Sequence, residues 1–109
     1  MTYSFVFVTC QNYKSAEKIS EILLRKKLIA CANILPVKSK YWWRGKIENN
    51  NEILMIMKTR AKFYQDVKRE VKKLHPYDIP EIVSFEIDKG NKAYLNWISE
   101  VTSWNKKKN

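Results

Sequence analysis

Gly45 sits between two β-prone stretches of about a dozen residues each, Ala32 to Trp43 and Ile47 to Thr59, where strands commonly run about five or six. The turn Trp43-Arg44-Gly45-Lys46 reverses the chain, so the two stretches read as one overlong β-hairpin. Pro36 lies inside the first. Proline has no N–H for a ladder, so that strand is expected at a sheet edge or with a bulge. Neighbouring strand residues point to opposite faces, which puts Trp42 on one face of the hairpin and Tyr41 with Trp43 on the other. Large aromatics on both faces of a protruding ribbon are an aggregation hazard when bare. Burial against other subunits is the expected solution, with Tyr41, Trp42 and Trp43 as an oligomer interface. The competing solution is a last helix that folds Trp97 and Trp104 over the ribbon.

The rest of the chain supplies one strand and one helix before the hairpin, and a helix, a strand and a helix after it. Tyr3 to Thr9 alternates, with Tyr3, Phe5 and Phe7 on one face and Val6 and Val8 on the other. Both faces are largely apolar, as in a central strand. Asn12 or Ser15 can cap a helix to about Lys27, with Ala16, Ile19, Ile22 and Leu23 as its apolar stripe. Phe63, Val67, Val71 and Leu74 recur at four, four and three and mark a second helix. Proline at 76 biases His75 toward extended backbone, so this helix should stop at about Leu74. A strand from Ile82 to Asp88 follows, broken by Gly90 and Asn91, and then a helix with Tyr94, Trp97, Ile98 and Val101 on one face. The order βαββαβ, with right-handed crossovers, gives an α+β, ferredoxin-like sandwich with an appended helix. Residues 1–104 are expected to form one domain, and 105–109 a basic, disordered tail.

Bulk features narrow the setting. No apolar run approaches the roughly 20 residues of a membrane span, and Met1-Thr2-Tyr3-Ser4 begins no visible secretory signal. Two cysteines are too few for a disulfide framework. A reducing, cytoplasmic setting is therefore expected. The net charge is +10, with basic runs at Arg25-Lys26-Lys27 and along Lys68-Arg69 and Lys72-Lys73. Such runs are commonly solvated helix faces, and they also favour anionic partners.

The single histidine lies in His75-Pro76-Tyr77-Asp78-Ile79-Pro80-Glu81, a loop stiffened by two prolines and rich in polar groups. With it, the chain resembles the CutA family of divalent-cation tolerance proteins. The resemblance rests on Leu28-Ile29-Ala30-Cys31-Ala32-Asn33-Ile34-Leu35-Pro36, on Tyr41-Trp42-Trp43-Arg44-Gly45-Lys46-Ile47-Glu48 continuing to Glu52 and Lys58-Thr59, and on the His75–Glu81 loop. Tyr94-Leu95-Asn96-Trp97 is similar to the family's closing helix. The resemblance implies a homotrimer joined by the long hairpins, a role in copper and divalent-metal tolerance, and metal binding or signalling rather than catalysis. It also implies that His75 matches a metal-ligand position. Leu74 stands where some members carry a neighbouring histidine, and Val8 where some carry a cysteine.

These departures predict weak binding of copper(II) or another divalent cation and no other cofactor. His75 is the main candidate ligand and Cys31 a lesser one. The bland alternatives are a His75 that hydrogen-bonds across the loop or an interface, and a Cys31 that is a core thiol at the start of a buried strand. Cys10, in a strand-to-helix loop, is expected to be exposed. Tyr41, Trp43, Glu52, Lys58, Tyr77 and Glu81 are expected to gather in a ligand cleft between subunits, with Lys58 pairing a carboxylate such as Glu81. No Ser-His-Asp or Cys-His constellation and no phosphate loop is legible, so no enzyme is expected. Two other classes compete: a sensor of small anionic ligands in that cleft, and an RNA-binding module, which shares the βαββαβ order. Ile53 to Met57 lacks the aromatics of an RNA platform, so neither a nucleic-acid nor a membrane partner is expected.

Overall fold

The computed structural model describes residues 1–104, so the expected basic tail lies outside the described residues. The elements run β1 (Tyr3–Cys10), α1 (Tyr13–Arg25), β2 (Cys31–Trp43), β3 (Lys46–Arg60), a short 3-10 turn (Ala61–Phe63), α2 (Tyr64–Leu74), β4 (Ile82–Glu86) and α3 (Lys92–Val101). The strands form one antiparallel sheet in the order β2-β3-β1-β4. This is the ferredoxin-like βαββαβ sandwich with a long hairpin and a closing helix. β2 lies at the sheet edge, where Pro36 leaves no central ladder bond unmade.

Strand parity builds the core. Val6, Val8 and Cys10 pair with Met57, Met55 and Ile53, and all six are buried on one face of the sheet. α1 covers that face with Ala16, Ile19 and Leu23, and α2 with Val67 and Val71. Asn12 is the cap of α1, its Oδ1 accepting from the Ser15 N–H at 2.9 Å. The helix closes with paired backbone bonds, Leu28 N to Leu23 O and Lys27 N to Leu24 O. That closure holds Lys27 at φ 57, a left-handed conformation that glycine usually fills. Arg44 and Gly45, both at positive φ, make the tight turn of the hairpin.

Cys10 departs from expectation. It is the last residue of β1 and fully buried, because the Val6-Val8 alternation continues one step further than the polar neighbours Gln11 and Asn12 imply. β4 is shorter than the expected strand and stops at Glu86.

The opposite face of the sheet carries Phe5, Phe7, Leu54, Ile56, Val83 and Phe85, as the register requires. α3 covers only one end of it. Ile98 is buried with Tyr3 and Ala30, the Tyr3 hydroxyl lies 2.6 Å from Ser99 Oγ, and Arg60 Nε donates to Thr102 Oγ1 at 3.0 Å. Trp104 packs on the helix-side core. The last helix thus does not fold over the ribbon, and Trp42 at the hairpin end remains 72% exposed.

Candidate functional site

β1 ends its pairing at Cys10↔Ile53. Beyond it, β2 and β3 pair only with each other, from Val37↔Glu52 to Trp43↔Lys46. A groove of about 1100 Å³ opens where the hairpin leaves the sheet, between its base and the loop after α2. Tyr41, Trp43, Glu48 and Glu52 line it from the hairpin, and Tyr77, Asp78 and Glu81 from the loop. Five of the six expected cleft residues therefore share one site. Lys58 is not among them. It lies six residues along β3 from Glu52, roughly 20 Å away at strand rise, and its Nζ donates to Asn33 Oδ1 on β2.

Glu52 is 7% exposed. It accepts a hydrogen bond from the Tyr77 hydroxyl at 3.0 Å. The ion pairs found among the described residues, Arg25–Glu21, Lys26–Glu70, Arg69–Asp66 and Lys73–Glu70, do not include it. Burial, then the Glu52 bond and charge, push the Tyr77 hydroxyl well above the usual phenol range. Tyr77 is thus a fixed donor. Glu48 was missed in the sequence, yet it faces Tyr41 in the register, two rungs of parity from Glu52. Four carboxylates, Glu48, Glu52, Asp78 and Glu81, line the groove against two lysines, Lys38 and Lys40. The groove is net acidic in a chain of charge +10.

His75 caps α2 in extended backbone, φ −86 and ψ 132, as the following proline demands. The residue is buried and both ring nitrogens are engaged. Nε2 lies 2.7 Å from the Thr9 carbonyl oxygen, and Nδ1 accepts from the Tyr77 N–H at 3.1 Å. A carbonyl only accepts and a backbone N–H only donates, so the bonds fit a neutral ring with its proton on Nε2. The ring ties the loop to the end of β1, and neither nitrogen is free to ligate.

The thiols stand apart. Cys10 Sγ donates to Met55 Sδ at 3.6 Å, and burial with the nearby Glu52 charge pushes its pKa up to about 11. It stays a thiol at neutral pH, a poor metal ligand. Cys31 is half-buried, not a core thiol. It opens the edge strand β2 opposite Lys58, whose Nζ is 3.9 Å from its Sγ. Among the described residues no group of three or more His, Cys, Asp or Glu side chains converges to hold a metal ion. No helix there is long and apolar enough to cross a membrane.

The family model described as CutA1 divalent ion tolerance protein matches residues 4–101. The divalent-cation tolerance protein CutA of Pyrococcus horikoshii is 43% identical over 97 residues, covering 89% of this chain and 95% of the relative. Among solved structures, the periplasmic divalent cation tolerance protein CutA from Archaeoglobus fulgidus superposes with a TM-score of 0.89 at 44% identity, covering 91% of this chain and 97% of the other. CutA1 from Oryza sativa superposes with a TM-score of 0.91 at 36% identity, covering 94% and 95%.

Proposed function

This chain belongs to the CutA1 divalent ion tolerance protein family, and we propose that it works as a cytoplasmic homotrimer that binds a divalent cation weakly in the groove at the hairpin base. Metal binding or signalling, rather than catalysis, is its task. Each subunit is one CutA-like domain over residues 1–104.

The observation that carries this reading is the net-acidic groove with a buried Glu52 that no cation pairs with among the described residues, inside a strongly basic chain. Buried charges are normally paired or metal-bound, and carboxylates that line one groove without converging suit weak, partly hydrated binding of a divalent ion through oxygen. His75 and Cys10 do not offer the nitrogen and thiolate donors that copper prefers. Copper(II) binding is therefore weak, and its donor set is completed by water or by a neighbouring subunit. The same charge balance runs against a small anionic ligand. Trimer assembly is supported by the sheet face and hairpin left uncovered, with Phe85 55%, Val83 43% and Trp42 72% exposed. Ile56 and Leu54, at the centre of that face, are aliphatic, which favours a protein partner over stacked bases.

Titration calorimetry with manganese(II) and copper(II) tests the reading. Both should bind with dissociation constants on the order of 10⁻⁴ M, as at modest oxygen-ligand sites, and Glu52→Gln should weaken both roughly tenfold. Unchanged affinity in Glu52→Gln would remove the groove from the function.

A further inference from the structure

The charge of this chain is not spread evenly. Of its 21 Lys and Arg and 11 Asp and Glu, ten basic and four acidic residues lie on residues 13–27 and 61–74, the stretches of the two helices that cover the core face of the sheet. The rest of residues 1–104 holds eight basic against seven acidic residues, close to balance. A composition merely rich in lysine would spread its excess over both sides. Three of the four helix acids are engaged within the layer, as Arg25–Glu21, as Arg69–Asp66 and as Glu70 with Lys26 and Lys73. Lys14, Lys18, Lys27, Lys62, Lys68 and Lys72 stand outside every ion pair among the described residues. Lys14 with Lys18, and Lys68 with Lys72, are neighbours one helical turn apart. The Lys26–Glu70 bond of 2.8 Å joins the two helices, so these lysines belong to one surface. Trp104 packs on the same side, with Lys26 Nζ 5.8 Å from its ring centroid, and the sequence continues from there into Lys106-Lys107-Lys108.

We infer that the helix side of the sandwich docks the phosphate backbone of double-stranded nucleic acid without reading its sequence. Lysine is a compact point charge suited to single phosphates, whereas arginine makes the bidentate bonds that read guanine. The six unpaired cations are all lysines, and Arg25 and Arg69 are held by Glu21 and Asp66. Single strands call for aromatic stacking platforms, and Tyr13 is the one exposed ring on these two helices. A bilayer surface calls for helices that insert an apolar face, and α1 and α2 bury theirs against the sheet. The sheet face lacks the stacking platform of an RNA module, but docking on a phosphate backbone needs none. The helix side lies opposite the face assigned to assembly. A homotrimer therefore leaves it free and presents three copies of it, which strengthens binding to one polyanion.

Fluorescence anisotropy of a labelled mixed-sequence DNA duplex, titrated with the full chain, is the test. Saturable binding is expected, and its affinity should fall about a thousandfold between roughly 50 and 200 mM salt, as for about six phosphate contacts. A second duplex of different sequence should bind equally. Each contact contributes about −0.9 to the slope of log affinity against log salt, so Lys68→Gln with Lys72→Gln, and Lys14→Gln with Lys18→Gln, should each flatten that slope by about 2. Lys89→Gln with Lys92→Gln removes the same charge from exposed positions outside these two helices and should leave the slope unchanged. Absence of saturable binding at low salt overturns the inference. An equal loss in the Lys89 and Lys92 variant overturns it too, by assigning binding to net charge alone. Phosphatidylserine vesicles that bind through the same lysines, with no duplex binding, would overturn it in favour of a membrane surface.

Discussion

The Tyr77 hydroxyl donates to Glu52 Oε2 at 3.0 Å, joining the loop after α2 to the base of the hairpin. Glu52 is buried at the first rung that β1 no longer flanks, so the bond solvates a charge that the strands leave bare. Tyr77→Phe removes that donor and keeps the ring. A lost hydrogen bond to a charged group costs about 1.5–3 kcal/mol, and urea unfolding should read a loss in that range. A change below about 0.5 kcal/mol would mean that water replaces the hydroxyl at no cost.

Glu70 provides a pH-dependent tie between the two core helices. It is buried on α2 and accepts from Lys26 at 2.8 Å and Lys73 at 3.2 Å. The Lys26 bond, aided by Lys73 and opposed by burial, holds its carboxyl below the ordinary value of 4.5. A group whose folded pKa is depressed contributes stability above its unfolded pKa and loses it as pH falls through the folded one. Stability should therefore drop as pH falls below about 4.5, and Glu70→Gln should flatten that part of the curve. Thermal melts of both proteins across the acid range read it. Parallel curves would assign the acid sensitivity elsewhere.

Lys27 ends α1 at φ 57 with an exposed side chain. A non-glycine residue in the left-handed region costs roughly 1 kcal/mol, and the capping bonds there use only backbone. Lys27→Gly should raise stability by about 0.5–1 kcal/mol, the greater freedom of glycine in the unfolded chain offsetting part of the relief. Denaturant midpoints at constant m-value check it, and a destabilised variant would show that the lysine makes a contact worth more than the strain.

The exposed sheet face and hairpin predict self-association, and the proposed homotrimer would hold three chains of 13.0 kDa each. Light scattering coupled to gel filtration should give three times that mass. Trp43→Ala should weaken assembly by about 2 kcal/mol, as loss of a buried aromatic anchor commonly does. A monomer at micromolar concentration would contradict the assembly.

The fold was legible where one physical rule dominated. The length of the hairpin, the edge position demanded by Pro36, the stop at Leu74 before His75-Pro76 and the opposed Trp42 and Trp43 all follow from local chemistry. Where a residue's fate depends on distant partners, the sequence was less informative. Cys10 looked like a loop thiol because its next neighbours are polar, but its pairing with Ile53 carries it into the core. Cys31 looked buried because its neighbours are apolar, but β2 is an edge strand whose alternate residues face the uncovered side. The nitrogens of His75 could not be assigned from sequence, since one partner is the Thr9 carbonyl, 66 residues away. Tyr41, Trp43, Glu52, Tyr77 and Glu81 were legible as a set that lines one groove, and Glu48 was recoverable from strand parity, whereas Lys58 was grouped with them although strand rise separates it from Glu52.

The claim that the groove is the cation site is tested most directly by diffraction. Crystals soaked in manganese(II) should show an anomalous peak in the groove, with Glu52 among its nearest oxygen donors. A peak at His75 or Cys31 instead, or a groove without one at saturating manganese(II), would contradict the account.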